Sequence, residues 1–180
     1  MVNSSLFRRI ELQMLMNLTA KAIGEQPKRI WTHPNREALR IYAEYTSSHL
    51  RDGADEALIE RMNHAALLMG QRLRRWLFIR SEATARRFII ALYRNIGIEL
   101  SFTDAQHLCF HRCLFSRYYT PAACLAASAL DDGIIRGLTG RPACRLCFSQ
   151  RLTEGGRCCM ATFQETNQKQ DIYEESHRNR

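Results

Sequence analysis

The first 108 residues of this 180-residue chain contain no cysteine. Lysine is nearly absent as well: Lys21, Lys28 and Lys169 are the only ones, so arginine carries the positive charge. No apolar run reaches the roughly 18 residues that a membrane span requires. The stretch MVNSSLFRRIELQMLMNLTAK lacks the basic segment, apolar core and small-residue cleavage site of a secretory signal. A cytoplasmic location with no membrane partner is therefore expected. In a reducing compartment cysteines serve as thiols, ligands or nucleophiles rather than as structural disulfides. An odd count of seven also excludes full pairing. The chain has no internal repeat and no recognisable DNA- or RNA-binding motif.

All seven cysteines fall between Cys109 and Cys159, at Cys109, Cys113, Cys124, Cys144, Cys147, Cys158 and Cys159. His111, Asp131 and Asp132 share the same window. Thiols, imidazole and carboxylate gathered in under a third of a chain point to a site, either a metal centre or a cysteine nucleophile. Hydrophobic residues make up 46% and charged residues 24%, an ordinary globular composition that buries a core without disulfide staples. Residues 1–165 read as one domain, with a helical part over 1–97 and a cysteine-rich part over 98–165. Residues 166–180 read as a polar, disordered tail. The net charge is +8. Its densest cluster is Arg72, Arg74, Arg75, Arg80, Arg86 and Arg87, opposed only by Glu82. This reads either as a solvated helix face or as a surface for an anionic partner.

Periodicity predicts an α+β protein: a bundle of about four helices, then a small antiparallel sheet made of a strand and a β-hairpin, with one covering helix. In residues 4–24, Leu6, Ile10, Met14, Leu18 and Ala22 share one helical face. Asn35 is the expected cap of a second helix burying Ala38, Leu39, Tyr42 and Tyr45. Asp55 caps a third helix, with Leu58, Met62, Ala66 and Leu73 inward. Ser81 begins a fourth, with Phe88, Ile89, Leu92 and Ile96 inward, closed by Gly97. Residues 107–115 alternate as a strand that places Cys109, His111 and Cys113 on one face. A helix from Pro121 to about Leu138 carries Cys124, Ser128 and Asp131 or Asp132 on one side, and Gly137, Gly140 and Pro142 mark its exit. Residues 144–151 and 157–164 form the hairpin around Gly155 and Gly156. Cys147, Ser149 and Arg151 share a face of its first strand. Cys159, Ala161 and Phe163 share a face of its second.

The spacing fits no standard zinc module, since Cys144-x-x-Cys147 is the only CxxC and no second pair follows. The groups that can converge are Cys109, His111 and Cys113 from the strand and Cys124, Ser128 and Asp131 or Asp132 from the helix, joined by Cys147 or Cys159 from the hairpin. Thiolates with one carboxylate suit a soft divalent transition metal held by Cys109, Cys113, Cys124, Asp131 and Cys159. Four or more thiols suit an iron–sulfur cluster. Alternatively a single cysteine is a nucleophile, with a histidine or an arginine lowering its pKa.

The runs RCLFSRYYTPAACLAASALDDGI and RLCFSQRLTEGGRCCMATF, within residues 112–163, resemble the L-2-amino-thiazoline-4-carboxylic acid hydrolase family. Cys113, Asp131, Arg151, Cys159 and Phe163 match its pattern, and Ser128 stands where the family places its second cysteine. A weaker likeness exists to the cysteine-rich iron-dependent carotenoid isomerases of plants. The first resemblance implies hydrolytic opening of a small cyclic substrate at a carbon–nitrogen or carbon–sulfur bond. It implies catalytic roles for Cys113, His111, Asp131 and Cys159, with Arg151 binding a substrate carboxylate. Two other expectations stand beside it: a metal or iron–sulfur redox or sensor protein, and a basic protein associated with nucleic acid through the arginine cluster.

Overall fold

In the computed structural model, which describes residues 4–165, the chain is α+β. Four helices come first: α1 (Ser4–Ile23), α2 (Asn35–Leu50), α3 (Glu56–Trp76) and α4 (Glu82–Asn95). Two strands follow, β1 (Ile98–Phe102) and β2 (His107–Cys113), then a long helix, α5 (Pro121–Thr139). The last two strands are β3 (Cys144–Gln150) and β4 (Cys159–Glu165). The sheet is antiparallel throughout, in the order β1-β2-β4-β3. Sequence reading finds β2 and the β3–β4 hairpin; β1 is the strand it misses. The expected tail, 166–180, lies outside the described residues.

Local chemistry accounts for most helix boundaries. Asp55 accepts a hydrogen bond from the Leu58 amide at 2.7 Å, and Ser81 accepts one from Thr84 at 3.2 Å. Thr120 caps α5 through the Ala123 amide at 3.1 Å, ahead of Pro121 in the first turn. Asn35 is not a cap: Pro34 holds that position and no side chain caps α2. Gly137 does not mark the exit of α5 but lies inside it. The helix ends at Gly140, whose φ of 75° is left-handed.

The buried face of α1 also differs from its expected one. Leu18 and Ala22 of that face are buried, but Leu6 and Ile10 are exposed, whereas Leu12, Met16, Thr19 and Ala20 are fully buried. Apolar residues lie almost all round this helix, so periodicity alone cannot select a face, and the neighbouring helices do. In α4 the innermost residues are Ala85, Ile89 and Tyr93.

α5 is the central element. It packs backbone to backbone on α3 through Gly70, Gly133 and Gly137. A side-chain carbon at Gly70 would stand 2.5 Å from the Ile134 carbonyl oxygen, and one at Gly137 would stand 2.6 Å from that of Leu67. One built at Gly133 would strike the Asn63 carbonyl, so no larger residue fits any of the three. Beside this seam lies a buried polar group. Asp132 pairs with Arg136 Nε at 2.8 Å and accepts the Leu146 amide of β3 at 2.8 Å. Asn63 donates to Asp132 at 2.6 Å and accepts from Arg136 at 2.6 Å. This group ties α3, α5 and β3 together at one point.

Two β-bulges decide which way the sheet's side chains point. In β2, Arg112 pairs with Glu99 while Phe110 pairs with Leu100, leaving His111 as the extra residue. In β3, Gln150 pairs with Met160 while Phe148 pairs with Ala161, leaving Ser149 as the extra residue. Each bulge reverses the alternation beyond it. Leu108 and Phe110 face the helices, and so does Cys113, which pairs with the buried Ile98. The expected shared face of Cys109, His111 and Cys113 is therefore not formed. Arg151 is likewise separated from Cys147, and its guanidinium stacks 5.3 Å over the Phe148 ring. The shared face of Cys159, Ala161 and Phe163 is present, and all three are buried.

Candidate functional site

The sheet separates the cysteine-rich window into two clusters. The inner one lies between the sheet and α5. Cys113 enters at the end of β2, Cys159 at the start of β4, Cys124 and Asp131 from α5, and Arg151 from the β3–β4 turn. Tyr93 reaches in from α4 and donates its hydroxyl to Asp131 Oδ1 at 2.8 Å. Its ring meets Phe110 edge-on with centroids 5.9 Å apart. Cys159 Sγ accepts the Leu152 amide at 3.3 Å. The Arg151 guanidinium stands 3.6 Å from Glu154, and its buried Nε has no hydrogen-bond partner among the described residues.

Burial dominates the electrostatics. It pushes the Asp131 carboxyl up to about 7, against the Tyr93 hydroxyl, which pulls it down, and with a further rise from Asp132. Burial and the nearby Asp131 push the Cys113 thiol up to about 12. Cys159 rises to about 11, again through burial, although the Leu152 amide and the Arg151 charge oppose the rise. Cys124 is raised by burial, with Thr153 and Arg151 opposing and Asp131 reinforcing. The Tyr93 phenol is held well above its usual value by burial and by Asp131. The resting site thus holds protonated thiols around a carboxyl that titrates near neutrality.

The outer cluster is on the far side of the sheet. Cys109 Sγ lies 3.5 Å from His111 Nδ1, and His111 Nε2 lies 2.8 Å from the Ser101 hydroxyl. Cys109 is pushed up to about 11 by burial and by neighbouring Cys158. His111 is therefore next to Cys109, on the face opposite Asp131 and Cys159. It approaches Cys113 only along the strand end, where both line an open groove of about 350 Å³ with Ser116, Arg117 and Leu152.

Of the sequence-derived set, the fold brings Cys113, Cys124, Asp131, Cys159 and Arg151 together and leaves Cys109 and His111 across the sheet. Among the described residues no three His, Cys, Asp or Glu gather closely enough to hold a metal ion. Cys109 lies across the sheet from Cys113, Cys124, Asp131 and Cys159, so the five expected ligands of a transition metal or an iron–sulfur cluster do not converge on one point. Ser128 donates its hydroxyl to the Leu125 carbonyl at 2.6 Å, within its own helix. Tyr93 is the residue that sequence reading misses. Its position one helical turn after Ile89 was the available signal.

No family model matches the chain. No curated protein and no solved structure matches it either. Among the described residues no helix is long and apolar enough to cross a membrane.

Proposed function

We propose that this protein is a thiol-dependent hydrolase that opens a small cyclic carbon–nitrogen or carbon–sulfur substrate bearing a carboxylate. The observation that carries the reading is Asp131: a carboxyl titrating near neutrality, hydrogen-bonded by Tyr93 and within electrostatic reach of Cys113, Cys124 and Cys159. Groups displaced toward the working pH in a cluster with nucleophiles are characteristic of catalytic sites. The family resemblance of residues 113–163 supports the same chemistry.

In this reading the free Arg151 Nε and its guanidinium plane hold the substrate carboxylate. Cys159 is the better nucleophile, since the Leu152 amide and Arg151 both favour its thiolate. It attacks the ring carbon while its proton passes to ionised Asp131. The ring bond to nitrogen or sulfur then breaks, and the leaving atom takes that proton from Asp131. Water, deprotonated by Asp131, releases the thioester-like intermediate and restores the thiol. Cys113 and Cys124 flank Asp131 and keep its surroundings of low polarity.

The test is turnover of L-2-amino-thiazoline-4-carboxylate, followed by chromatographic loss of the ring. Wild-type protein opens the ring, with an acidic limb near the Asp131 titration, turnover rising with pH as the carboxyl ionises. Cys159→Ser and Asp131→Asn each lower kcat/KM at least about 100-fold. Arg151→Lys acts mainly on KM. Absence of turnover by wild-type protein, or turnover indifferent to Cys159 and Asp131, defeats the reading.

A further inference from the structure

The turn between α3 and α4 exposes three consecutive large apolar side chains. Trp76 is 79% exposed, Leu77 48% and Phe78 78%. Phe78 also has a φ of 50°. This left-handed position follows the last residues of a helix, where the Phe78 amide bonds to the Arg75 carbonyl at 3.1 Å and the Ile79 amide to the Arg74 carbonyl at 3.0 Å. Glycine is the usual occupant of such a position, and a bulky residue there is strained. Phe78 therefore weakens the local backbone without filling any core, and burial inside this fold does not explain its presence.

The surrounding charge is of one sign. Arg74 is used internally, donating to the Leu138 carbonyl at 2.6 Å. Arg86 pairs with Glu82, which also binds Arg141 at 2.8 Å, so the one nearby acid is neutralised. Arg72, Arg75, Arg80 and Arg87 are exposed and form no ion pair with any described residue. Four exposed guanidinium groups without an ion pair among the described residues thus flank an apolar tip in the sequence.

We propose that this turn docks the protein on an anionic phospholipid surface. Trp76, Leu77 and Phe78 enter the interfacial layer, and Arg72, Arg75, Arg80 and Arg87 pair with lipid phosphates. Trp and Phe are favoured at the water–lipid boundary, and arginine stems reach outward to headgroups. Leu77 favours lipid over nucleic acid, because a base stacks on aromatic rings and gains nothing from an adjacent leucine. The anchor is peripheral and does not depend on the hydrolase reading.

The experiment is sedimentation of the full chain with phosphatidylcholine vesicles, with and without about 30% phosphatidylserine. A Trp31→Phe background leaves Trp76 as the only tryptophan, of two in the chain, to report its environment by fluorescence. Binding is expected only with phosphatidylserine, with a blue shift of Trp76 emission. Phe78→Gly is the decisive variant. It relieves the left-handed strain, so thermal stability holds or rises, yet vesicle binding falls at least about tenfold. Arg75→Gln with Arg80→Gln reduces the dependence on phosphatidylserine and on salt. The proposal fails if the vesicles do not bind the protein, or if Phe78→Gly binds as well as wild type. It also fails if a single-stranded oligonucleotide, rather than the vesicles, quenches Trp76, or if the turn is covered by a second copy in sedimentation equilibrium.

Discussion

The Tyr93 hydroxyl donates to Asp131 Oδ1 at 2.8 Å, joining α4 to the carboxyl at the centre of the inner thiol cluster. Because this bond favours the ionised carboxylate, it moderates the rise that burial imposes on Asp131. Tyr93→Phe removes only the hydroxyl, so its main effect is to raise the Asp131 carboxyl further.

A pH dependence of stability follows. Unfolded Asp131 titrates near 3.8 and the folded group at about 7. Between those values the folded chain holds a proton that the unfolded chain has released. Stability therefore falls as pH rises through this window, and levels off above it. Glu11 acts in the same direction, moving from 4.5 to about 7 through burial. Asp131→Asn keeps an acceptor for Tyr93 and removes the charge. At pH 8 it should be more stable than wild type, by on the order of 3 kcal/mol, and the two should converge at low pH. Urea unfolding at pH 5 and pH 8 reads this directly. Equal pH slopes in the two proteins would rule it out.

Gly133→Ala tests the seam between α3 and α5. The added carbon meets Ala66 Cβ at 2.6 Å and the Leu67 amide nitrogen at 2.7 Å, and the backbone cannot yield as a flexible side chain would. A loss of about 3 kcal/mol or more is expected, by chemical denaturation. A loss below about 0.5 kcal/mol, the range of a neutral surface change, would mean that the two helices do not pack so closely.

Arg136→Met removes the close partner of buried Asp132 and leaves it only the half-exposed Arg145 at 3.9 Å. It also leaves the carbonyls of Pro142 and Cys144 without their donor. The expected cost is about 3–5 kcal/mol. Combining it with Asp132→Leu should recover at least about 1 kcal/mol relative to the sum of the single changes. Strict additivity in a double-mutant cycle would show that the pair does not interact.

Most elements are legible in the sequence because their signals are local. Asp55, Ser81 and Thr120 each accept an amide three residues onward, and such contacts need no distant partner. The hairpin is legible for the same reason, with Gly155 in the left-handed region at φ 84°. β1 escapes because five residues carry too short an alternation. The buried face of α1 escapes because its apolar residues offer several faces.

The candidate site was legible in its residue types and only partly in its arrangement. Cys113, Asp131, Cys159 and Arg151 lie on the same side of the sheet, but a period of two placed His111 beside Cys113 and Arg151 beside Cys147. His111 and Ser149 are each the extra residue in their strand pairs, and a bulge exists only relative to the partner strand. By itself, then, the sequence determined where the five helices and three of the four strands lie, and that thiols would crowd one region. Tertiary structure alone decided which thiols share a side of the sheet, because that depends on inter-strand register. It also decided that Asp131 loses enough water to titrate near neutrality, because desolvation is set by packing from α4, α5 and the sheet together.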